Sequence, residues 1–139
     1  MPKEKYNRGA FRQNEVISMQ HELISPEQYS MEADNYLNTL QAGETENIKF
    51  TQHFVNISAS GIGLFTDAHY KKDHLLKLHF NLAMEGSERV NILAKVVRVV
   101  PPTKKQDRWI GISFLYRCEQ EKGKIIKYLF KRQREKIRA

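Results

Sequence analysis

With 139 residues, 40% of them hydrophobic and including seven Phe, six Tyr and one Trp, the chain has the length and apolar content of one domain with a packed core. The formal charge of +7 attracts polyanions of every kind, yet residues 15–47 carry seven acidic side chains and no Lys or Arg, which argues against a uniformly basic nucleic-acid coat. Cys118 is the one cysteine and cannot form an internal disulfide, Lys95 and Arg98 break the longest apolar run, and the polar start does not read as a secretory signal, so a soluble cytoplasmic protein without membrane insertion is expected.

Residues 1–14 carry a net +3 and read as a flexible arm containing Arg8 and Arg12. From Val16 to Ile24, Ile17, Met19 and Leu23 alternate with Ser18, Gln20 and Glu22, the period of a half-buried strand. Residues 25–47 form an acidic insertion. A helix is expected there over Pro26–Leu40, where Tyr29, Ala33, Tyr36, Leu37 and Leu40 recur at helical spacing. The insertion is either a connection packed on the body of the fold or a partner surface or lid.

The main strands are expected between residues 48 and 116. Ile48, Phe50 and Phe54 alternate with Lys49, Thr51 and His53 and lead into the polar turn Asn56-Ile-Ser58-Ala-Ser-Gly61. Strand character resumes over Ile62–Thr66, then in a run with Leu76, Leu78, Phe80 and Leu82 on one face and Lys77, His79 and Asn81 on the other. A hairpin loop over Met84–Glu88 precedes Val90, Ile92, Ala94 and Val96, which alternate with Arg89, Asn91 and Lys95. Pro101-Pro102 breaks that run, and Trp109–Tyr116 supplies the last strand. Residues 117–139 are basic. Ile125, Ile126, Leu129 and Phe130 mark an amphipathic helix over Glu119–Ile137, expected to cap the strands, while Lys131–Arg138 reads as a solvated face or a membrane or partner-binding tail.

Two short patterns carry the chemistry. Arg8 and Arg12 stand four apart, so both can grip one compact ligand, and each guanidinium matches guanine O6 and N7 or a phosphate and can stack on a purine. Taken alone, the pair also fits a solvated face. In Asn56-x-Ser58-x-x-Gly61 the amide and hydroxyl can bond local backbone or read guanine N1 and N2, and the glycine permits positive φ or close backbone approach.

Taken in order, the Arg8-Gly-Ala-Phe-Arg12 segment, the Asn56-x-Ser58-x-x-Gly61 turn, the alternating strands and the basic terminal helix resemble the PilZ domain family of bacterial cyclic di-GMP receptors over nearly the whole chain. The resemblance implies an all-β fold with accessory helices, a six-stranded antiparallel PilZ-type β-barrel followed by a C-terminal α-helix. It implies cyclic di-GMP bound by Arg8, Arg12, Asn56, Ser58 and Gly61, and an effector protein controlling motility, exopolysaccharide or biofilm. Asn7 stands where many members have Arg, and Asn56 where Asp is more usual. In the family the position before the first Arg is linked to binding one ligand or an intercalated pair, so stoichiometry stays open, as do the identity of the effector and the choice of monomer or dimer. The stretch between Arg12 and Asn56 is longer than usual.

No catalytic constellation is recognisable: Ser58 lies in no nucleophile elbow, and paired carboxylates, a Gly-rich phosphate loop and a Cys/His arrangement are lacking. The chain is not expected to be an enzyme. His69, His74 and His79 recur every five residues, which alternates sides along a strand, and no metal site is expected. Arg98 is a further candidate contact, weighed against an ordinary surface arginine. Two other readings are a PilZ-like protein-interaction module that binds no nucleotide, and a nucleic-acid-binding barrel that uses Trp109 and the basic tail.

Overall fold

A computed structural model describes residues 12–34, 49–84 and 86–138. The chain runs β1 (Gln13–Ile24), α1 (Pro26–Asp34), β2 (Thr51–Ile57), β3 (Gly61–Thr66), β4 (Leu75–Met84), β5 (Gly86–Val100), β6 (Arg108–Leu115) and α2 (Glu119–Arg138). The strands close into a barrel in the order β1-β2-β3-β6-β5-β4, with every neighbouring pair antiparallel. Closure gives every strand a partner on both sides over at least part of its length, and period-two alternation sends one face of each strand inward. Ile17, Met19, Leu78, Phe80, Ile92 and Ile110 are among the buried side chains of that interior.

The ladders of β1 divide at one residue. Residues Gln13–Met19 pair with β2 and residues Met19–Ile24 pair with β4, so Met19 belongs to both. Where β4 has left β1, a cleft of about 380 Å³ opens, lined by Glu15, Ser18, Asn81, Tyr128 and Arg132 among others.

Three apolar assignments differ from the expectation. Leu23 is exposed and Ile24 is buried at the end of β1. In β2 the inward set is Val55 and Ile57, whereas Phe54 pairs with Val16 and is exposed; Ile48 lies outside the described residues. The odd-numbered positions must face inward because their neighbours in the ladder, Ile62 and Leu64 of β3, are core residues. On α2 the buried stripe is Ile125, Tyr128 and Leu129, the i, i+3, i+4 set, and Phe130 falls off it into solvent.

Polar contacts fasten both helices, and α2 packs on the core as well. Ser25 caps α1, its Oγ accepting from the Gln28 backbone N–H at 3.0 Å, with Pro26 next in the chain. No α1 residue is buried; Glu32 instead bonds Lys77 of β4 at 2.9 Å. The expected continuation through Tyr36, Leu37 and Leu40, like the rest of the acidic insertion to residue 47, lies outside the described residues. At the start of α2 the Glu121 carboxylate accepts from the Arg117 backbone N–H and side chain at 2.8 Å each, and Arg117 also donates to Asn91 O at 3.0 Å. Towards its end Arg132 Nε donates to Glu15 Oε2 of β1 at 2.9 Å. Among the described residues no helix is long and apolar enough to cross a membrane.

Breaking a buried pair leaves an uncompensated charge. Glu121→Ala is therefore expected to destabilise the fold by about 3 kcal/mol in urea denaturation, since Arg117 and Glu121 are both buried.

Opposite the turn end of the barrel, His21 and His53 pack edge to face with ring centroids 5.3 Å apart, and the Tyr70 hydroxyl is 2.6 Å from His21 Nδ1. Burial lowers both imidazoles below their ordinary value, His53 reinforcing the effect on His21, while burial and Glu22 push the Tyr70 phenol up to about 12. Because the folded state disfavours the charged rings, the unfolded chain binds more protons, and this contribution to stability is full above about pH 6.5 and lost as the pH falls through the lowered folded values. The melting temperature should fall between pH 7.5 and 5.5, and His21→Gln with His53→Gln should flatten that slope.

Candidate functional site

The turn between β2 and β3 is held from within and from behind. Ser58 is buried: its N–H donates to Gly61 O at 2.9 Å and its Oγ accepts from the Ser60 N–H at 3.3 Å. Phe114 N–H donates to Ser60 O at 3.0 Å, and the Tyr116 hydroxyl donates to Ala59 O at 2.5 Å, tying the turn to the end of β6. Burial and the nearby Glu121 raise the Tyr116 phenol, so it keeps the proton that this bond requires. Gly61 is required by close approach. A Cβ there would meet Ile112 O at 2.0 Å, closer than any side chain tolerates.

Strand register then assembles one outward-facing row from five strands. Asn14 pairs with Asn56, Asn56 with Gly63, Gly63 with Gly111, and Gly111 with Arg98, the last across a bulge between Val96 and Arg98. Arg12 reaches the same row, its Nη1 donating to Asn56 Oδ1 at 3.0 Å while Asn56 Nδ2 donates to Asn14 Oδ1 at 2.9 Å. The Trp109 indole lies over the two glycines: a Cβ at Gly63 would meet Trp109 Cζ2 at 2.4 Å, and one at Gly111 would meet the same ring at 3.3 Å. The Arg98 guanidinium stands 5.8 Å from the indole centroid. Between these groups is an open cleft of about 320 Å³, whose walls include Arg12, Ser60, Gly63, Arg98, Trp109 and Ser113.

Of the five positions that the motifs single out, Arg12, Asn56 and Gly61 converge on this cleft or its rim, Ser58 is the internal tie of the turn, and Arg8 lies outside the described residues. Trp109, Gly63, Gly111 and Ser113 were not singled out as parts of this site by the motifs. Their signal is legible in retrospect as glycines on facing strands beside the only tryptophan, which leaves a bare floor where a ring can lie flat. The cleft combines a cationic fork, a polar amide and an aromatic face, the groups that bind a phosphate and a planar base.

The histidines serve separate local roles. His69 Nδ1 is 3.2 Å from Arg108 Nη1, His74 Nδ1 accepts from the Lys71 N–H at 3.0 Å, and His79 Nδ1 is 2.7 Å from Asn91 Oδ1. Among the described residues no group of three His, Cys, Asp or Glu could hold a metal ion.

Fold and cleft define a class of small antiparallel barrels with a terminal helix across one end and a cleft beside a polar turn on the outer wall. The sequence profile of the PilZ domain matches residues 36–131, and the chain belongs to the PilZ domain family. The matched span contains Asn56, Ser58 and Gly61, while Arg8 and Arg12 precede it. Two solved structures share the fold. A pathogenic protein from Xanthomonas campestris, a tetrameric PilZ domain self-assembled through a helical bundle, superposes with a TM-score of 0.65 at 11% identity, covering 92% of this chain and 89% of that one. The inhibitor of motility MotI/DgrA from Bacillus subtilis superposes with a TM-score of 0.66 at 20% identity, covering 96% of this chain and 55% of that one. No curated protein matches the sequence significantly.

Because Trp109 is the single tryptophan, its emission reports on the cleft alone. Gly63→Ala should displace the indole and change the emission maximum and near-ultraviolet dichroism, with the far-ultraviolet spectrum of the barrel retained.

Proposed function

We propose that this PilZ domain is a cyclic di-GMP sensor whose ligand is held between the N-terminal arm and the β2–β3 turn. The observation that carries the reading is the Arg12 to Asn56 hydrogen bond, 3.0 Å long and bridging 44 residues, which joins one half of the two-part motif to the other at the rim of the cleft. Arg12 and Arg98 offer guanidinium forks to phosphate or to the guanine O6 and N7 edge, Asn56 offers an amide, and the Trp109 ring offers a face for a purine. Arg8, four residues before Arg12, completes the grip from the arm. Ser58 contributes by fixing the turn, and Gly61 by letting β3 approach β6.

The ligand bears two phosphates and two guanines, so it can neutralise several arginines at once, and charge-assisted bonds offset the entropy lost when an arm is fixed. Fixing the arm changes the surface offered to an effector protein, which is how a small barrel transmits a signal. The domain acts in the cytoplasm, in control of motility, exopolysaccharide secretion or biofilm formation.

Calorimetric titration with cyclic di-GMP, with GTP as control, tests the proposal. Selective binding at micromolar or tighter affinity, about −8 kcal/mol or better, is expected. Arg8→Ala and Arg12→Ala should each weaken it at least tenfold, in line with the roughly 1.5–3 kcal/mol of a hydrogen bond to a charged group, with the melting temperature unchanged. Full affinity in both variants would remove the roles assigned to them, and the absence of heat from a folded protein would leave an interaction module that binds no nucleotide.

A further inference from the structure

Asn56, at the rim of the cleft, has a side chain with two chemically different ends. A carboxylate in its place would accept hydrogen bonds through either oxygen and would need no orienting. An amide accepts at Oδ1 and donates at Nδ2, so the end it turns to a ligand decides what it can read.

Its two contacts fix that orientation. Arg12 has donors and no acceptor, so the end of the amide that meets Arg12 Nη1 at 3.0 Å must be Oδ1. Nδ2 is thereby turned along the row towards Asn14, whose Oδ1 accepts from it at 2.9 Å. The ladder neighbours of Asn56 are Asn14 on β1 and Gly63 on β3, and the glycine has no side chain with which to brace it. Arg12 is itself assigned to the ligand above, so Asn14 is the brace that stays in place once the cleft is filled.

We propose that Asn14 is the positioning residue that makes the site read guanine rather than adenine, by keeping Asn56 Oδ1 turned to the side of Arg12. The inference rests on the sensor reading above and adds the determinant of its base preference. Along one edge guanine presents N7 and O6 as acceptors, then N1–H as a donor; adenine presents N7 as an acceptor, N6–H as a donor and N1 as an acceptor. A guanidinium fork beside an amide oxygen offers donors followed by an acceptor. That order complements the guanine edge and opposes the adenine edge at both N6 and N1. A flipped Asn56 would present Nδ2 instead, a donor that adenine N1 accepts and guanine N1–H cannot.

Titrations with cyclic di-GMP and cyclic di-AMP test the assignment. Asn14 is exposed, so Asn14→Leu, similar in shape but without an acceptor, should leave the melting temperature unchanged. The wild-type protein should prefer the guanine ligand by about a hundredfold, and Asn14→Leu should lower that ratio about tenfold. In an Asn56→Asp background both oxygens accept, so adding Asn14→Leu should leave the ratio where Asn56→Asp alone sets it. A ratio that Asn14→Leu does not change, including an equal loss of affinity for both ligands, would overturn the inference and leave the sensor reading intact. So would a ratio lowered equally in both backgrounds, or a wild-type protein that binds the two ligands alike. A wild-type protein that binds no cyclic di-GMP would fail the sensor reading itself, and the inference with it.

Discussion

The register of the antiparallel ladders is the constraint on which everything at the cleft depends. Hairpins bring Asn56 to Gly63 and Arg98 to Gly111, but only pairing across all five strands sets these together with Asn14 in one line. A slip of one residue in any of these strands would turn its contribution to the barrel interior and bring a core side chain out. The apolar interior therefore specifies the site indirectly. Ile57, Ile62 and Ile112 hold the register by being buried, and their neighbours in sequence are aimed outward as a consequence.

Charge is divided by task within this frame. Arg117 and Arg132 fasten α2 to the barrel through Glu121 and Glu15, and Arg108 donates to Ala68 O at 3.1 Å beneath the β3–β4 loop. Arg89 stands 4.8 Å from the Phe50 ring centroid. These arginines are anchored to carboxylates, carbonyls or an aromatic ring, whereas Arg12 and Arg98 face the cleft, where an amide and an indole are their neighbours. The net charge of +7 thus says less about function than the placement of two guanidinium groups.

The succession of strands along the chain and the polar turn were legible because each leaves a local trace, alternation in the strands and polar residues with glycine in the turn. The inward face of β2 was misread because the aromatic rings of Phe50 and Phe54 dominate its pattern, while the smaller Val55 and Ile57 carry the burial. Phe130 was drawn into the helix stripe for the same reason, and Tyr128, with its polar end near Glu15, was passed over. Trp109 escaped the motif reading because its role depends on Gly63, 46 positions away, which becomes its floor only once β3 and β6 are paired. Side chains that act through long-range pairing leave no periodic signal, so they become visible only in the folded barrel.

The division of β1 at Met19 has a mechanical consequence. The half that begins after Arg12 is laddered to β2 and tied to α2 through Glu15 and Arg132, while the half that closes the barrel is laddered to β4, so the first can open without breaking the ladder of the second. Such a strand divides into two cooperative units with different opening energies. Amide exchange should then find the segment beside the cleft opening far more often than the barrel as a whole, letting this end of the molecule breathe on its own while the rest stays shut.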